Sequence, residues 1–176
     1  IMKNGMVRPQ DISEFAGRIY DEASRLTSLV QDIIEISKLD EKSGEMPFEN
    51  VDIYEIAQDI CQNLTLQSKK KNITLSIEGS NVEIYGVRHI LYEMCYNLVD
   101  NAMKYNREGG YVKVSLSTTE DHVCFTVEDN GIGIAKEEQE RIFERFYRVD
   151  KSHSRKTGGT GLGLSIVKHG AALHHA

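Results

Sequence analysis

The hydrophobic positions near the start of the chain follow a helical period. One series of apolar residues recurs every seven positions, and a second fills intermediate positions at spacings of three and four. The two series are Ile12, Ile19, Leu26 and Ile33, then Phe15, Leu29 and Ile36. This spacing predicts a coiled-coil seam on a long helix from about 11 to 38, which we expect to meet a partner helix. An amphipathic helix that packs on its own domain is the alternative, although such helices are usually shorter.

After a polar stretch at 40–47, the pattern changes to alternating helices and strands. Helices are predicted at 53–71 and 87–105, and strands at 73–77, 82–85, 111–118 and 122–128. This order suggests an α/β two-layer sandwich, with helices covering one face of a sheet. We therefore divide the chain near residue 43, into a partial helical region (1–42) and a globular domain (43–176).

Charge and cysteine content narrow the function classes. With 21 Lys+Arg against 27 Asp+Glu, the formal net charge is −6. This balance argues against a nucleic-acid partner, so any anionic ligand must be held by a local site. Cys61, Cys95 and Cys124 lie in apolar runs without metal-ligand spacing, which predicts buried thiols in a reducing compartment.

Three polar residues share one face of the helix predicted at 87–105. Asn97 and Asn101 are four positions apart, and Lys104 lies beside them. An amide oxygen is a neutral ligand for Mg²⁺, which needs few protein ligands when phosphates and waters complete its octahedron. The lysine suits a phosphate oxygen. A capping or surface role is the alternative for two asparagines on a helix.

A carboxylate followed by glycines ends the last predicted strand. Asp129 precedes Gly131 and Gly133. A carboxylate in this position can accept a hydrogen bond from an exocyclic amine, while the glycines let a flat ring come close. Adenine fits this description. A tight turn at a strand end is the alternative.

A glycine cluster opens the final helical pattern. Its members are Gly158, Gly159, Thr160, Gly161, Leu162 and Gly163. Backbone N–H groups at a helix N-terminus form a seat for phosphate oxygens, and glycine leaves them accessible. The residue order excludes a Walker loop, and the late position excludes a Rossmann first turn. A flexible connector is the alternative.

A basic segment separates the two glycine motifs. Phe143 and Phe146 are spaced to anchor a short helix, and the polar run at 151–157 has no apolar period. We interpret 151–157 as a mobile lid whose positive side chains close on the phosphates of a nucleotide. A solvated charged loop is the alternative.

These four blocks, in this order, resemble the N, G1, F and G2 boxes of bacterial sensor histidine kinases, whose ATP-binding fold is shared with gyrase-type ATPases. The resemblance covers 85–170 closely, and the helix at 25–39 resembles the second helix of the family's dimerisation domain. It implies a mixed sheet with helices on one face, preceded by a long dimerisation helix. The overall pattern resembles that of a phosphate-regulon type sensor kinase.

Carried over residue by residue, the resemblance implies a site for ATP and Mg²⁺. Asn101 would be the Mg²⁺ ligand, Asn97 and Lys104 would act in catalysis, and Asp129 would take the adenine amine. The other nucleotide contacts would be Tyr105, Gly131, Gly133, Arg145, Arg148, Gly159, Thr160, Gly161, Leu162 and Gly163.

The residue four positions before Asn101 bears on the reaction. Gyrase-type relatives that hydrolyse ATP carry a glutamate general base there, whereas the amide of Asn97 cannot take a proton from water. The resemblance therefore implies transfer of the γ-phosphoryl group to a histidine, then to an aspartate of a response-regulator receiver domain. A non-catalytic nucleotide-binding scaffold and a gyrase-type ATPase are the alternatives. An anti-sigma serine kinase shares the fold, but the long preceding helix disfavours it.

The chain departs from the family pattern at both ends. None of its six histidines lies in the family's acceptor box, so we expect the acceptor helix to be missing and the fragment not to autophosphorylate alone. The family continues through two more strands, so we expect a catalytic domain truncated at its C-terminus. The resemblance also implies that the parent is a homodimer through 12–39, anchored in the cell membrane, with this part in the cytoplasm.

Overall fold

The computed structural model describes residues 2–4, 6–41, 46–120, 122–149 and 159–176. The predicted lid at 151–157 lies outside the described residues, as do the side chain of Ile36 and the proposed boundary near residue 43. Within the described residues, no helix combines the length and the apolar character that crossing a membrane requires.

The N-terminal helix, α1 (Ile12–Glu41), follows a 3-10 turn at Pro9–Asp11. The first apolar series, which we call the α1 stripe, remains exposed on it. Exposed fractions are 45% for Ile12, 59% for Ile19, 48% for Leu26 and 42% for Ile33. Leu29, from the second series, instead packs on the buried residues Leu162 and Ile166. One flank of α1 therefore contacts its own domain, while the α1 stripe is left uncovered by the rest of the described chain.

Besides short 3-10 turns, the rest of the described chain forms two sheets and three α-helices. The helices are α2 (Ile53–Lys70), α3 (Arg88–Lys104) and α4 (Gly163–Leu173). The strands are β1 (Glu49–Asp52), β2 (Thr74–Glu78), β3 (Glu83–Gly86), β4 (Tyr111–Thr118) and β5 (Val123–Asp129). β1 pairs with β3 in an antiparallel ribbon, and the larger sheet has the order β2-β4-β5, with the first pair parallel and the second antiparallel. The predicted mixed sheet is confirmed.

The main core lies between the larger sheet and helices α2 and α3. Val112 and Val114 alternate on β4 and are fully buried against Ile60 of α2 and Met103 of α3. Each such side chain contributes about 1.5–3 kcal/mol on burial. Helix α3 also packs on α4, where a methyl group on Gly170 would press on Met94. Because α3 is held on both sides, its polar face has a fixed position.

The cysteine environments differ from the prediction for one residue. Cys95 is buried, Cys61 is half-buried, and Cys124 is exposed. Burial raises the pKa of the Cys95 thiol to about 12, so this thiol is chemically inert near neutral pH. The expectation of three buried thiols is wrong for Cys124, because exposure alternates along β5 and this residue falls on the open face.

Helix α2 begins at a side-chain cap that offers a test of the fold. Asp52 accepts hydrogen bonds through Oδ1 from the backbone N–H groups of Tyr54, at 2.8 Å, and Glu55, at 3.3 Å. We expect Asp52→Ala to lower the free energy of unfolding by about 1 kcal/mol, and Asp52→Asn to retain most of it, because Asn also caps helices. Urea unfolding monitored by circular dichroism measures both. Equal losses in the two variants would contradict the capping role.

Candidate functional site

Helix α3 presents the predicted asparagine pair at its junction with α4. Asn97 donates through Nδ2 to the carbonyl of Glu93 at 2.9 Å. A methyl group on Gly163, the first residue of α4, would collide with Oδ1 of Asn97. Asn101 lies one turn further along and is half-buried; within the described part of the chain its side chain makes no hydrogen bond. Its amide oxygen is therefore available to coordinate a cation, and oxygen is the ligand atom that Mg²⁺ prefers.

Lys104 is paired with a carboxylate that the sequence reasoning missed. Its Nζ lies 2.6 Å from Oδ2 of Asp100, a residue only 7% exposed. Burying an unpaired carboxylate costs free energy, so Lys104 stabilises the buried Asp100 by pairing with it. The spacing of four residues on one helix is the signal that could have identified this pair from the sequence.

The end of α3 holds the loop that follows β5. The carbonyl of Tyr105 accepts a hydrogen bond from the N–H of Ile132 at 3.1 Å. A methyl group on Gly131 would collide with the same carbonyl, so this close approach requires glycine. Lys71 donates to the carbonyls of Met103, at 3.0 Å, and Lys104, at 3.3 Å, which satisfies the helix C-terminus. The sequence reasoning also missed Lys71, which is remote in the chain.

Asp129 is oriented by its own turn. Its Oδ1 accepts from the N–H of Gly131 at 2.8 Å, while Oδ2 has no hydrogen-bond partner among the described residues. The side chain is exposed, and Gly133 adopts a left-handed φ of 69°. One carboxylate oxygen thus sets the geometry, and the other is available to an exocyclic amine.

From Gly159 onward the glycine cluster leads into α4 as predicted, while Gly158 lies outside the described residues. Gly161 has a φ of 78°, a conformation that favours glycine, and its carbonyl accepts from the N–H of Phe146 at 2.9 Å. No side chain among the described residues caps α4. The N–H groups of its first turn have no intrahelical acceptor, so they can bind an anion at this end. Thr160 accepts from the N–H of Leu162 at 3.3 Å, which orders the entry to the helix.

The two candidate arginines occupy different places. A methyl group on Gly159 would lie 3.6 Å from Nη2 of Arg148, which puts this arginine beside the glycine cluster. Arg145 instead places its Nη2 2.8 Å from Nε2 of His169, on the side of α4. The short helix expected around Phe143 and Phe146 is reduced to a 3-10 turn at Arg141–Phe143. Phe146 is 57% exposed with a φ of 64°, because its backbone turns to meet Gly161.

Three separate motifs meet at this edge of the fold. Tyr105 touches the loop after β5 through its carbonyl, and a methyl group on Gly159 would lie 3.4 Å from its hydroxyl. Asn97 lies against the start of α4. Asn101, Asp129 and α4 therefore bring an amide oxygen, a carboxylate and a helix N-terminus together. Among the described residues, no cluster of three or more His, Cys, Asp or Glu could hold a metal, so a cation here would rely on amide oxygen and ligand phosphates.

The chain belongs to the family described as histidine kinase-, DNA gyrase B-, and HSP90-like ATPases, whose model matches residues 86–176. This membership confirms the predicted fold and supports ATP as the nucleotide. Within the family, the chain is similar to the sensor-like histidine kinase SenX3 of Mycolicibacterium smegmatis. The two are 36% identical over 95% of this chain and 44% of the relative.

Two solved structures extend the comparison. Full-length ShkA in complex with AMPPNP has a TM-score of 0.75 at 26% identity, over 97% of this chain and 35% of that one. Histidine kinase ThkA in complex with the response regulator protein TrrA has a TM-score of 0.69 at 25% identity, over 88% of this chain and 46% of that one. These relatives confirm the resemblance to the catalytic part of sensor histidine kinases. The chain spans less than half of each.

The free oxygen of Asp129 gives a prediction for nucleotide binding. Asp129→Asn preserves the acceptor for Gly131 but presents an amide NH₂ or a weaker oxygen to the adenine amine. We expect ATP affinity to fall by about ten- to a hundredfold, as for loss of a hydrogen bond to a charged group. Isothermal titration calorimetry measures the affinity, and a melting curve checks the fold. Unchanged affinity for ATP would contradict the assignment of Asp129.

Proposed function

We propose that this chain is the ATP-binding catalytic core of a sensor histidine kinase, which transfers the γ-phosphoryl group of ATP to a histidine on another helix. The observation that carries the proposal is the arrangement at the α3–α4 junction. Asn97 lies against Gly163, the first residue of α4, whose start is capped by no side chain among the described residues, and Asn101 presents an amide oxygen one turn further along α3. The site therefore has the parts that hold a Mg²⁺-nucleotide and lacks a carboxylate base at Asn97.

The residues of the site divide the work of binding between them. Asp129 recognises the adenine amine through Oδ2, which has no hydrogen-bond partner among the described residues. The carbonyl of Tyr105 accepts from Ile132 and so holds the loop after β5 against the end of α3. The N–H groups opening α4 receive phosphate oxygens, and Lys104 and Arg148 contribute positive charge. Mg²⁺, when bound at Asn101, neutralises charge that develops on the phosphates during transfer.

The side chain of Asn97 favours transfer over hydrolysis. Its Nδ2 is already donated to the carbonyl of Glu93, and its Oδ1 faces Gly163. An amide does not accept a proton from water, so Asn97 cannot act as a general base for hydrolysis. ATP held here is thus retained until a nucleophile that needs no general base, a neutral imidazole nitrogen, arrives in line.

Phosphorylation of the full-length parent tests the reaction. We expect Mg-ATP to give acid-labile, base-stable phosphohistidine, and Asn101→Ala to reduce its initial rate by at least about 100-fold, because the metal and its phosphates lose their protein ligand. Asn50→Ala is the matched control, since Asn50 is exposed on β1. ATP binding without phosphohistidine would favour a nucleotide-binding scaffold, and steady phosphate release would favour a hydrolase.

The partners follow from the same proposal. A receiver domain of a response regulator would accept the phosphoryl group, as the complex of the similar kinase ThkA with TrrA supports. A second copy of the parent would cover the α1 stripe, since the apolar residues of this stripe are exposed at heptad spacing.

The domain boundary and the location belong to the same proposal. We place the boundary near residue 43. We place this part of the parent in the cytoplasm, where ATP is available, and the parent itself is anchored in the membrane.

A charge in the α1 stripe tests the dimer. Leu26→Glu puts a carboxylate in the seam, and we expect the intact parent to shift from dimer to monomer in sedimentation analysis, because an unpaired charge is costly in an apolar interface. Leu66→Glu is the matched control, since Leu66 is 73% exposed on α2 and lies outside the stripe. A parent that stays dimeric with Leu26→Glu would contradict a dimer built on this seam.

A further inference from the structure

The peptide group between Asn130 and Gly131 is held at both of its ends. Its N–H donates to Oδ1 of Asp129 at 2.8 Å. Its carbonyl, which belongs to Asn130, accepts from Nε of Arg107 at 2.6 Å. Because the N–H and the carbonyl of a trans peptide point in opposite directions, both hydrogen bonds require the same orientation of this group. Arg107 and Asp129 are therefore coupled through one peptide.

The loop from which Arg107 extends, between α3 and β4, is itself fixed to this turn. Asn130 accepts through Oδ1 from the N–H of Tyr111 at 2.8 Å, and Asn106 donates through Nδ2 to the carbonyl of Tyr111 at 2.9 Å. The backbone of Tyr111, the first residue of β4, is thus held between two asparagine side chains. Arg107 therefore starts from a fixed position beside the turn that carries Asp129.

Two residues of this loop hold successive parts of the turn. The carbonyl of Tyr105 accepts from the N–H of Ile132 at 3.1 Å, and Arg107 binds the carbonyl of Asn130. Arg107 is exposed, and within the described part of the chain its guanidinium makes no other hydrogen bond or ion pair. Its contribution to the structure is therefore the contact with this peptide.

We infer that Arg107 is a positioning residue, which fixes the carboxylate of Asp129 so that Oδ2 is available to the adenine amine. It acts by holding the peptide whose N–H binds Oδ1, and a carboxylate ordered in advance binds its ligand at a lower entropic cost. The inference rests on the proposed function, because it takes the ligand of Asp129 to be the adenine of ATP. It makes Arg107 a determinant of base selectivity, with no part in phosphate binding.

A nucleotide that lacks the adenine amine isolates this effect. Purine riboside triphosphate has the ribose and the phosphates of ATP but no exocyclic amine. Arg107→Met places a methyl group at the position of Nε and removes the donor. We expect ATP affinity to fall by about tenfold, as for a weakened hydrogen bond to a charged group, and the affinity for purine riboside triphosphate to change by less than about twofold.

Arg107→Gln is the conservative variant. Its Nε2 lies the same number of bonds from the backbone as Nε of arginine, so it can donate to the carbonyl of Asn130 without carrying a charge. We expect this variant to retain most of the ATP affinity. Equal losses of ATP affinity in the Met and Gln variants would overturn the inference, because the charge of Arg107, and not its hydrogen bond, would then be what matters.

Arg8→Met is the matched control. Arg8 is exposed, and its Nε also makes a hydrogen bond, to Oδ2 of Asp11 at 3.0 Å. It lies outside the residues that the family model matches, 86–176. We expect this variant to leave the affinities for both nucleotides unchanged.

A double-mutant cycle with Asp129→Asn separates positioning from an independent contribution. Calorimetric titrations with both nucleotides, in the presence of Mg²⁺, are made on the wild-type chain, on each single variant and on the double variant. We expect Arg107→Met to have no further effect on ATP affinity once Asp129 is replaced, because the arginine acts through the carboxylate. Additive losses, or equal losses for the two nucleotides, would each overturn the inference.

The same titrations distinguish this inference from the proposed function. A wild-type chain that prefers ATP, with additive effects in the cycle, rejects the role of Arg107 and leaves the kinase proposal standing. A wild-type chain that binds both nucleotides equally rejects the adenine contact and the inference, while phosphoryl transfer stands. A wild-type chain with a cooperative melting curve that binds neither nucleotide overturns the proposed function, and the inference with it.

Discussion

The carbonyl oxygen of Tyr105 is the point on which the site depends. It lies where α3 ends, accepts the N–H of Ile132, and leaves no room for a side chain at Gly131. This one contact fixes the loop carrying Asp129 against the helix carrying Asn97 and Asn101. Since the hydroxyl of the same residue reaches the neighbourhood of Gly159, a single tyrosine joins three motifs that are far apart in the chain.

Packing on both sides of α3 fixes the position of this junction. Helix α3 is buried against the larger sheet through Val99 and Met103, and its opposite side meets α4 where Gly170 allows a close approach. A polar face held between two apolar contacts has a fixed position, so Asn97 keeps its contact with the start of α4. The ion pair between the buried Asp100 and the half-buried Lys104 adds a charged constraint to the same helix. The groups proposed to bind the nucleotide are therefore held in place by packing of the protein itself.

Much of this architecture could be predicted from periodicity and residue chemistry. Helices predicted at 53–71 and 87–105 end within a residue or so of α2 and α3, because their apolar spacing is regular. Strand β1 was missed because only Val51 of its four residues is apolar, and its pairing with Ile84 is a tertiary contact. Contacts such as Arg145 with His169, or Leu29 with Ile166, join residues whose separation leaves no pattern in the sequence. The roles assigned to the site residues stay predictions.

A crystal structure of this chain with a non-hydrolysable ATP analogue and Mg²⁺ tests the proposed site most directly. We predict the adenine amine on Oδ2 of Asp129, the metal on the amide oxygen of Asn101, and phosphate oxygens at the N–H groups that open α4. A nucleotide bound elsewhere, or one whose metal does not touch Asn101, would contradict the claim that α3, the loop after β5 and α4 together form the ATP site.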